Sequence, residues 1–140
     1  MQFGVREFRT EDYDAVLNVW QQTDMGGAHR GDNLQTILNT IDFGGVLYLL
    51  EEESTGNIVG TSWITNDSRR LYLHHFGIVP YFQGKGLSHM LMEKSMEFVK
   101  SKKLQIKLEV YKENFKARKL YEGYRFKYLG DYEVFIVRDI

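Results

Sequence analysis

The chain has 140 residues, with 18 basic and 19 acidic side chains, four histidines and no cysteine. This length suits one domain with a sizeable core, and the near-zero net charge gives no sign of a nucleic-acid or anionic membrane partner. The lack of cysteine excludes disulfides, thiolate nucleophiles and cysteine-ligated metals. No apolar run approaches membrane-spanning length, and the start, MQFGVREFRT, lacks the regions of a signal peptide, so we expect a cytoplasmic protein.

The first third of the chain carries one strand signal and two helix signals. Residues 3–8 (FGVREF) alternate apolar and polar side chains, which predicts a strand. Thr10 is predicted to cap a helix. The apolar stripe of that helix consists of Tyr13, Val16, Leu17 and Trp20. Residues 24–33 form a glycine-rich turn, and a second helix is expected to begin at Asp32 or Asn33.

The later elements are separated by short turns. We predict strands over residues 46–51, 58–65, 71–79 and 104–111, helices over 86–100 and 114–122, and a terminal antiparallel strand pair over 126–129 and 134–137. The order β-α-α-β-β-β-α-β-α-β-β predicts an α/β (α+β) fold with a mixed, mostly antiparallel central sheet flanked by helices. A parallel strand pair is expected across the long helix, and residues 1–140 are expected to form one domain.

Residues 71–100 carry the strongest chemical signal, because an apolar strand, a glycine-spaced turn and a helix follow one another. Gly84 and Gly86 permit positive φ and a close approach of ligand to backbone. The unpaired amides at the helix start favour an anion such as pyrophosphate, and Lys85 adds a positive charge. The turn is not a P-loop, and His89 stands where a dinucleotide fingerprint needs a third glycine. An ordinary strand-to-helix turn without a ligand is the alternative.

This stretch resembles the acetyl-CoA site of the GNAT family of N-acetyltransferases, whose signature Q/R-x-x-G-x-G/A follows a strand ending in V/I-x-P. The strand here ends Ile78-Val79-Pro80, and the turn reads Gln83-Gly84-Lys85-Gly86-Leu87-Ser88. The one departure is Ser88, where the family prefers Gly or Ala. Ser is small, and its hydroxyl can cap the helix or touch a phosphate. The order of elements also matches the GNAT fold over essentially all 140 residues.

The resemblance implies acetyl-CoA as co-substrate, with no metal. Backbone groups at Phe76, Gly77 and Ile78 are expected to run beside the pantetheine arm, and Gly77 is expected to mark a bulge or a close backbone approach. In the family a bulge here splays this strand from the next parallel one, and the cofactor enters the opening. The residues expected to surround the pyrophosphate are Gln83, Gly84, Lys85, Gly86, Leu87, Ser88 and His89.

A second part of the resemblance covers residues 108–126, which fit the family pattern L-E-V…N…A…L-Y-x-x-x-G/Y-F. Asn114 and Tyr121 lie two helical turns apart, so both side chains can face the cofactor. The resemblance implies that Asn114 binds the pantetheine region and that Tyr121 donates a proton to the leaving sulfur. A phenol with an ordinary pKa near 10 suits a thiolate of similar basicity.

The group that removes a proton from the acceptor amine is left open by the sequence. The resemblance implies Glu109, the glutamate of L-E-V, acting through water. His74 or His75 is the alternative, and water is a third. Because adjacent strand residues point to opposite faces, only one histidine is expected to face the substrate cleft. Two adjacent histidines do not make a metal site, because one ligand face needs positions i and i+2 and a further partner.

Residues 22–33 are expected to build the acceptor side, because loops carry specificity. Asp24 or Asp32 is a candidate for binding a cationic amine and Arg30 for binding a carboxylate, with His29 and Trp20 nearby. The predicted function is direct acetyl transfer to a primary amine, either a small molecule or a peptide N-terminus. The alternatives are a CoA-binding sensor module without activity and a transferase for a bulkier acyl group. A monomer or a homodimer is expected.

Overall fold

The computed structural model describes residues 2–25 and 30–140. The strands are β1 (Phe3–Glu7), β2 (Val46–Glu52), β3 (Asn57–Asn66), β4 (Leu71–Ile78) and β5 (Ile106–Leu108). The helices are α1 (Tyr13–Gln22), α2 (Leu34–Asp42), α3 (Leu87–Lys102) and α4 (Phe115–Gly123), with single 3-10 turns at Thr10–Asp12 and Pro80–Phe82. Residues 1–109 and 110–140 form two compact units, each described by itself below. The prediction of one domain over residues 1–140 stays a prediction.

The five strands of the first unit form one sheet in the order β1-β2-β3-β4-β5. The pairs β1–β2, β2–β3 and β3–β4 are antiparallel, whereas β4 and β5 are parallel and are connected through α3. A parallel pair needs a crossover of this kind, and a helix supplies it. The predicted mixed, mostly antiparallel sheet flanked by helices is therefore confirmed.

Helices cover both faces of this sheet. Trp63 of β3 stacks on Trp20 of α1, with ring centroids 5.4 Å apart. The preceding residue, Ser62, points to the other face, where its hydroxyl lies 2.7 Å from the Ser95 hydroxyl of α3. Burial on both faces explains why β2 reads as a continuous apolar run. Leu47, Leu49 and Leu50 are fully buried there, and each such side chain stabilises the fold by about 1.5–3 kcal/mol.

The predicted helix caps give mixed results. Asn33 caps α2 by accepting from the Thr36 amide at 2.9 Å, as predicted. The cap predicted at Thr10 is wrong, because the Asp12 carboxylate accepts instead from the Arg9 amide at 2.8 Å. That carboxylate also accepts two hydrogen bonds from the Arg6 guanidinium, which hold the pKa of Asp12 below its usual range. Arg6 of β1 thereby ties the sheet edge to the start of α1.

The predicted strand pair over residues 126–129 and 134–137 is wrong. Among the described residues, none after Leu108 lies in a strand, and β5 is shorter than predicted. Alternating side chains alone do not make a strand, which also needs a hydrogen-bonded neighbour. In the second unit this alternation is exposed, with Tyr132 at 77% and Phe135 at 89% of their full accessibility.

Candidate active site

The glycine turn joins β4 to α3 and has the backbone that the sequence predicted. Gly84 and Gly86 have φ values of 76° and 75°, and α3 begins at Leu87 immediately after Gly86. Only glycine adopts this left-handed region at little cost. A Cβ atom built on either residue meets nothing within 4 Å, so the space beside the turn is open.

The start of α3 offers backbone donors to that open space. The N-cap residue is Gly86, which has no side chain, and within the described part of the chain no hydrogen bond from the Ser88 hydroxyl caps the helix. The buried Leu87 side chain anchors the first turn in the core. The His89 amide donates to the Gly86 carbonyl at 3.2 Å. The amides before it and the positive end of the helix dipole favour a phosphate at this point. The residues present therefore fit the diphosphate of coenzyme A.

Two neighbouring side chains shape the turn. The Gln83 side chain donates to the Ile78 carbonyl at 2.8 Å, which ties the turn to the end of β4. The Lys85 ammonium lies 5.9 Å from the centroid of the Tyr81 ring and is exposed. Gln83 thus ties the turn to β4, and Lys85 places an exposed positive charge beside it.

The pairing between β4 and β5 ends before β4 does. The last pair between the two strands is Leu73 with Leu108, and β4 continues beyond it from His74 to Ile78. A strand edge that β5 leaves unpaired can pair with an extended ligand, as an added strand does. The resemblance implies the pantetheine arm here, and that placement stays a prediction.

The predicted irregularity in β4 is present but does not fall on Gly77. Gly77 pairs with Thr61 and His74 pairs with Trp63, so two residues of β4 face a single residue of β3. This is a β-bulge, and it centres on His75 and Phe76. A Cβ on Gly77 would come within 2.9 Å of the Met25 methyl carbon. This methyl carbon is the end of a flexible side chain, so the contact does not by itself require glycine, and the predicted close approach at Gly77 stays a prediction.

His75 carries the backbone strain of the bulge. Its φ of 45° lies in the left-handed region, which costs a non-glycine residue about 1–3 kcal/mol. Its carbonyl accepts from the Thr61 hydroxyl at 2.6 Å, and that hydroxyl in turn accepts from the Trp20 indole N–H at 3.0 Å. Its ring Nε2 lies 2.8 Å from the Asp32 carboxylate. The ring edge also packs on the Trp20 indole, with centroids 4.6 Å apart.

The expectation that only one histidine faces the cleft is wrong. The two histidine rings lie 6.5 Å apart, and both contact the Trp63 ring, with centroids at 6.0 Å for His74 and 5.4 Å for His75. The bulge inserts a residue and breaks the alternation of side chains, so both rings lie on the α1 face. His74 Nε2 lies 2.9 Å from the Thr65 hydroxyl.

The pKa of His74 is lower than that of an ordinary imidazole. Burial is the main cause, and positive charge on His75 acts in the same direction. The carboxylates of Glu109 and Asp32 oppose the shift. His74 is therefore neutral at pH 7, because an ordinary histidine already has a pKa near 6.5.

In the second unit, Asn114 and Tyr121 lie on one helix. The Asn114 side chain caps α4 by accepting from the Ala117 amide at 3.2 Å, as predicted for the helix start. Tyr121 packs edge-on against Phe126, with ring centroids 5.7 Å apart, and burial raises the pKa of its phenol to about 12. The phenol is therefore protonated throughout the neutral and mildly alkaline range.

The structure places several other predicted site residues in environments that differ from one another. Glu109 follows the end of β5 and is exposed. Trp20 belongs to the core, at 1% exposure, rather than to the acceptor side. Asp32 contacts His75 instead of lying open to a cationic amine. The prediction for His29 falls outside the described residues. Sequence reasoning missed Thr61, and a threonine inside an apolar strand was its only signal.

Two further structural results concern classes of protein. Among residues 2–25 and 30–140, no helix is both long and apolar enough to cross a membrane. The same part of the chain holds no group of three or more His, Asp or Glu side chains placed to bind a metal.

Solved structures of acetyltransferases are similar to this chain in fold. Glucosamine-6-phosphate N-acetyltransferase from Arabidopsis thaliana is 18% identical, with a TM-score of 0.75 over 99% of this chain and 98% of that chain. AAC(6')-Iy, in complex with the bisubstrate analogue CoA-S-monomethyl-acetylneamine, is 13% identical, with a TM-score of 0.76 over 100% and 99%. The ribosomal-protein-S18-alanine N-acetyltransferase from Escherichia coli is 18% identical, with a TM-score of 0.73 over 88% and 76%.

The sequence profile of the acetyltransferase (GNAT) family matches residues 7–126, which include β4, the glycine turn, α3 and α4. That match runs through both compact units. The family implies acetyl transfer that depends on an acyl-CoA. The chain belongs to the acetyltransferase (GNAT) family.

Proposed function

We propose that this protein is an acetyl-CoA-dependent N-acetyltransferase that moves the acetyl group directly to a primary amine. The observation that carries the proposal is the open glycine turn at the uncapped start of α3, continuous with the β4 edge that β5 leaves uncovered. Phosphate and extended-arm binding need these two features side by side. A transfer through a cysteine acyl-enzyme is excluded because the chain has no cysteine.

The first unit supplies the groups proposed to hold the co-substrate. Acetyl-CoA brings an activated acetyl thioester when it is bound. Amides between Gly84 and His89 would bind the diphosphate, with Lys85 adding charge. Backbone groups at Phe76, Gly77 and Ile78 would align the pantetheine arm and place a donor beside the thioester oxygen. No metal takes part in this proposal.

Tyr121 is the proposed acid, and Asn114 is proposed to bind the pantetheine region. A phenol with a pKa of about 12 is protonated at neutral pH, so a proton is in place when the thiolate leaves, and the raised pKa makes it a weaker acid than an ordinary phenol. The group that removes the proton from the amine is Glu109 according to the family resemblance. The sequence left His74, His75 or water as the alternatives.

The acceptor is proposed to be a small-molecule amine or a peptide N-terminus. The names of the similar structures include an enzyme of glucosamine 6-phosphate and an enzyme of ribosomal protein S18, so this fold serves both kinds of acceptor. The cytoplasmic location and the choice between monomer and homodimer stay predictions.

Two assays on the wild-type protein test this function. Calorimetry with acetyl-CoA and with CoA should show binding of both. Release of CoA thiol should then depend on an added amine when the protein is given a panel of amino sugars, polyamines and short peptides. Binding without thiol release would favour the sensor module, and no binding at all would contradict the proposal. Comparing acetyl-CoA with longer acyl-CoAs distinguishes a transferase for a bulkier group.

The role of Tyr121 as the acid is tested by Tyr121→Phe, which keeps the aromatic ring and removes the hydroxyl that carries the proton. We expect kcat to fall roughly 10- to 1000-fold, within the usual range for acid–base contributions, with little change in acetyl-CoA affinity. The matched control is Tyr128→Phe, because Tyr128 lies in the same unit at 76% exposure. Full turnover of Tyr121→Phe across pH 7–9 would remove Tyr121 from the mechanism.

A further inference from the structure

We propose that His75, oriented by Asp32, is the general base that takes the proton from the acceptor amine. This inference rests on the proposed function and selects among the bases that the sequence left open. The two side chains meet at 2.8 Å, although they belong to β4 and to the segment before α2. Asp32 lies next to Asn33, whose side chain fixes the start of α2, so the carboxylate is held in place.

The hydrogen bond decides which ring nitrogen can act. When Nε2–H donates to the Asp32 carboxylate, the lone pair of the neutral ring lies on Nδ1. No residue of the described chain bonds to Nδ1, and the described residues include no buried side-chain nitrogen that lacks a partner. The His75 side chain retains 21% exposure, and Nδ1 is the ring nitrogen that this arrangement leaves for an incoming amine. The carboxylate stabilises the imidazolium that forms.

The backbone of His75 is a second, independent observation. A left-handed φ at a non-glycine residue persists only where surrounding contacts over-determine it, and such residues cluster at functional sites. Three separate elements fix this one, through Thr61, Asp32 and Trp20. A glycine at this position would relieve the strain but would lose the ring. The contacts therefore maintain an imidazole in one orientation.

Its position in the chain places the base beside the reacting group. His75 immediately precedes Phe76 and Gly77, the backbone proposed to align the thioester, and the three residues form the bulge region of β4. His74 is a poorer candidate because its Nε2 contacts the Thr65 hydroxyl and burial disfavours its charged form. Glu109 is exposed beyond the end of β5, whereas the His75 side chain retains only 21% exposure.

The charged and titratable groups around His75 come from few elements. Asp32 contacts it from the segment before α2, and His74 lies beside it on β4. Among the residues that the structure describes, the contacts to it from α1 and β3 are uncharged: the indoles of Trp20 and Trp63 and the Thr61 hydroxyl. Glu109 acts on the same cluster, through His74, from the end of β5.

The proposed step balances without any further reactant. The lone pair of a neutral amine forms the N–C bond to the acetyl carbonyl carbon, and the C–S bond breaks with its electron pair going to sulfur. The N–H proton moves to Nδ1 of His75. The thiolate takes a proton from the acid proposed above or from water, and His75 later returns its proton to solvent.

The main test is His75→Asn, because Asn tolerates left-handed φ and cannot act as the base. We expect kcat/KM for the amine to fall about 100-fold or more near pH 7, with the rising limb of its pH profile lost and acetyl-CoA affinity unchanged. Added imidazole should restore part of the rate to His75→Gly, which also accepts the backbone. His74→Gln and Glu109→Gln test the two competing bases, and loss of the rising limb in either variant would contradict the assignment to His75.

Asp32→Asn separates a base from a merely structural contact. Asn can still bond to Nε2–H but lacks the charge that stabilises the imidazolium, so kcat should fall about 10-fold or more while acetyl-CoA affinity stays unchanged. NMR of the ligand-free protein gives a readout independent of turnover, with the His75 signals assigned by their loss in His75→Asn. The chemical shift of the His75 ring nitrogen should change in Asp32→Asn and stay in place in Glu109→Gln.

The outcomes separate this inference from the proposed function. Suppose that the wild type is active and that His75→Asn keeps both the rising limb of the pH profile and a rate within about threefold of the wild type. That result overturns the assignment of the base but not the proposed function. If Glu109→Gln loses the rising limb of the pH profile instead, Glu109 is the base that takes the proton from the amine. An unchanged chemical shift of the His75 ring nitrogen in Asp32→Asn contradicts the pairing. A wild type that transfers acetyl to no amine overturns both proposals.

Discussion

Two left-handed segments lie along the same stretch of chain, and they reach that conformation in opposite ways. The glycine turn does so with Gly84 and Gly86, which have open space around them. The β4 bulge does so with His75, which packs against two tryptophans and is hydrogen-bonded at both its carbonyl and its ring.

The difference teaches what each segment supplies. Where the site needs bare backbone amides, glycine gives the conformation cheaply and leaves room for a ligand. Where it needs a side chain at a fixed angle, the strain of a non-glycine residue is offset by contacts from other elements. We expect the turn to tolerate loss of neighbouring side chains, and the bulge to depend on them.

Thr61→Val tests the support of the bulge and should have the largest effect on stability. The hydroxyl bridges the Trp20 N–H and the His75 carbonyl, so its removal should lower the free energy of unfolding by about 1–3 kcal/mol. Urea unfolding measures this change. Thr40→Val is the matched control, because the Thr40 hydroxyl accepts from the Trp63 N–H at 2.9 Å. Only Thr61→Val should also reduce acetyl transfer. Unchanged turnover in Thr61→Val would show that the bulge keeps its conformation without the Thr61 hydroxyl.

Gly86→Ala tests the open turn. The left-handed φ makes any Cβ cost roughly 1–2 kcal/mol of stability, and here the Cβ also enters the space proposed for the diphosphate. Gly56→Ala in the β2–β3 hairpin is the control, because Gly56 has a φ of 77° and equally open space. Both variants should lose similar stability, whereas calorimetry should show acetyl-CoA affinity falling about tenfold in Gly86→Ala alone. Equal affinity for acetyl-CoA in both variants would contradict the proposed binding of the diphosphate at the glycine turn.

The smallest expected effect is the pH dependence that His74 contributes to stability. Because its pKa is lowered in the folded state, the unfolded chain binds more protons below about pH 6.5. The free energy of unfolding should therefore be highest above that pH and fall as the solution is acidified through it. His74→Gln keeps a partner for Thr65 and should flatten this slope, as followed by urea unfolding between pH 5 and 8. An unchanged slope in His74→Gln would contradict the assignment.

Much of the fold follows from local signals along the chain. The glycine turn, the cap at Asn33, the parallel crossover through α3 and the cap at Asn114 all depend on residues within a few positions of one another. The prediction of a cap at Thr10 was wrong because Arg6, on another element, holds the Asp12 carboxylate where it accepts the hydrogen bond from the Arg9 amide. The terminal strands failed because alternation specifies a face but no partner strand.

The sequence by itself determined the family and the open turn at the start of α3, because glycine spacing and helix ends act through the local backbone. Only the tertiary structure decided that His74 and His75 share a face and that Asp32, 43 residues from His75, bonds to its ring. A strained φ at a histidine has no local signature. It exists because an α1 indole, a β3 hydroxyl and a loop carboxylate meet there, and folding alone brings them together.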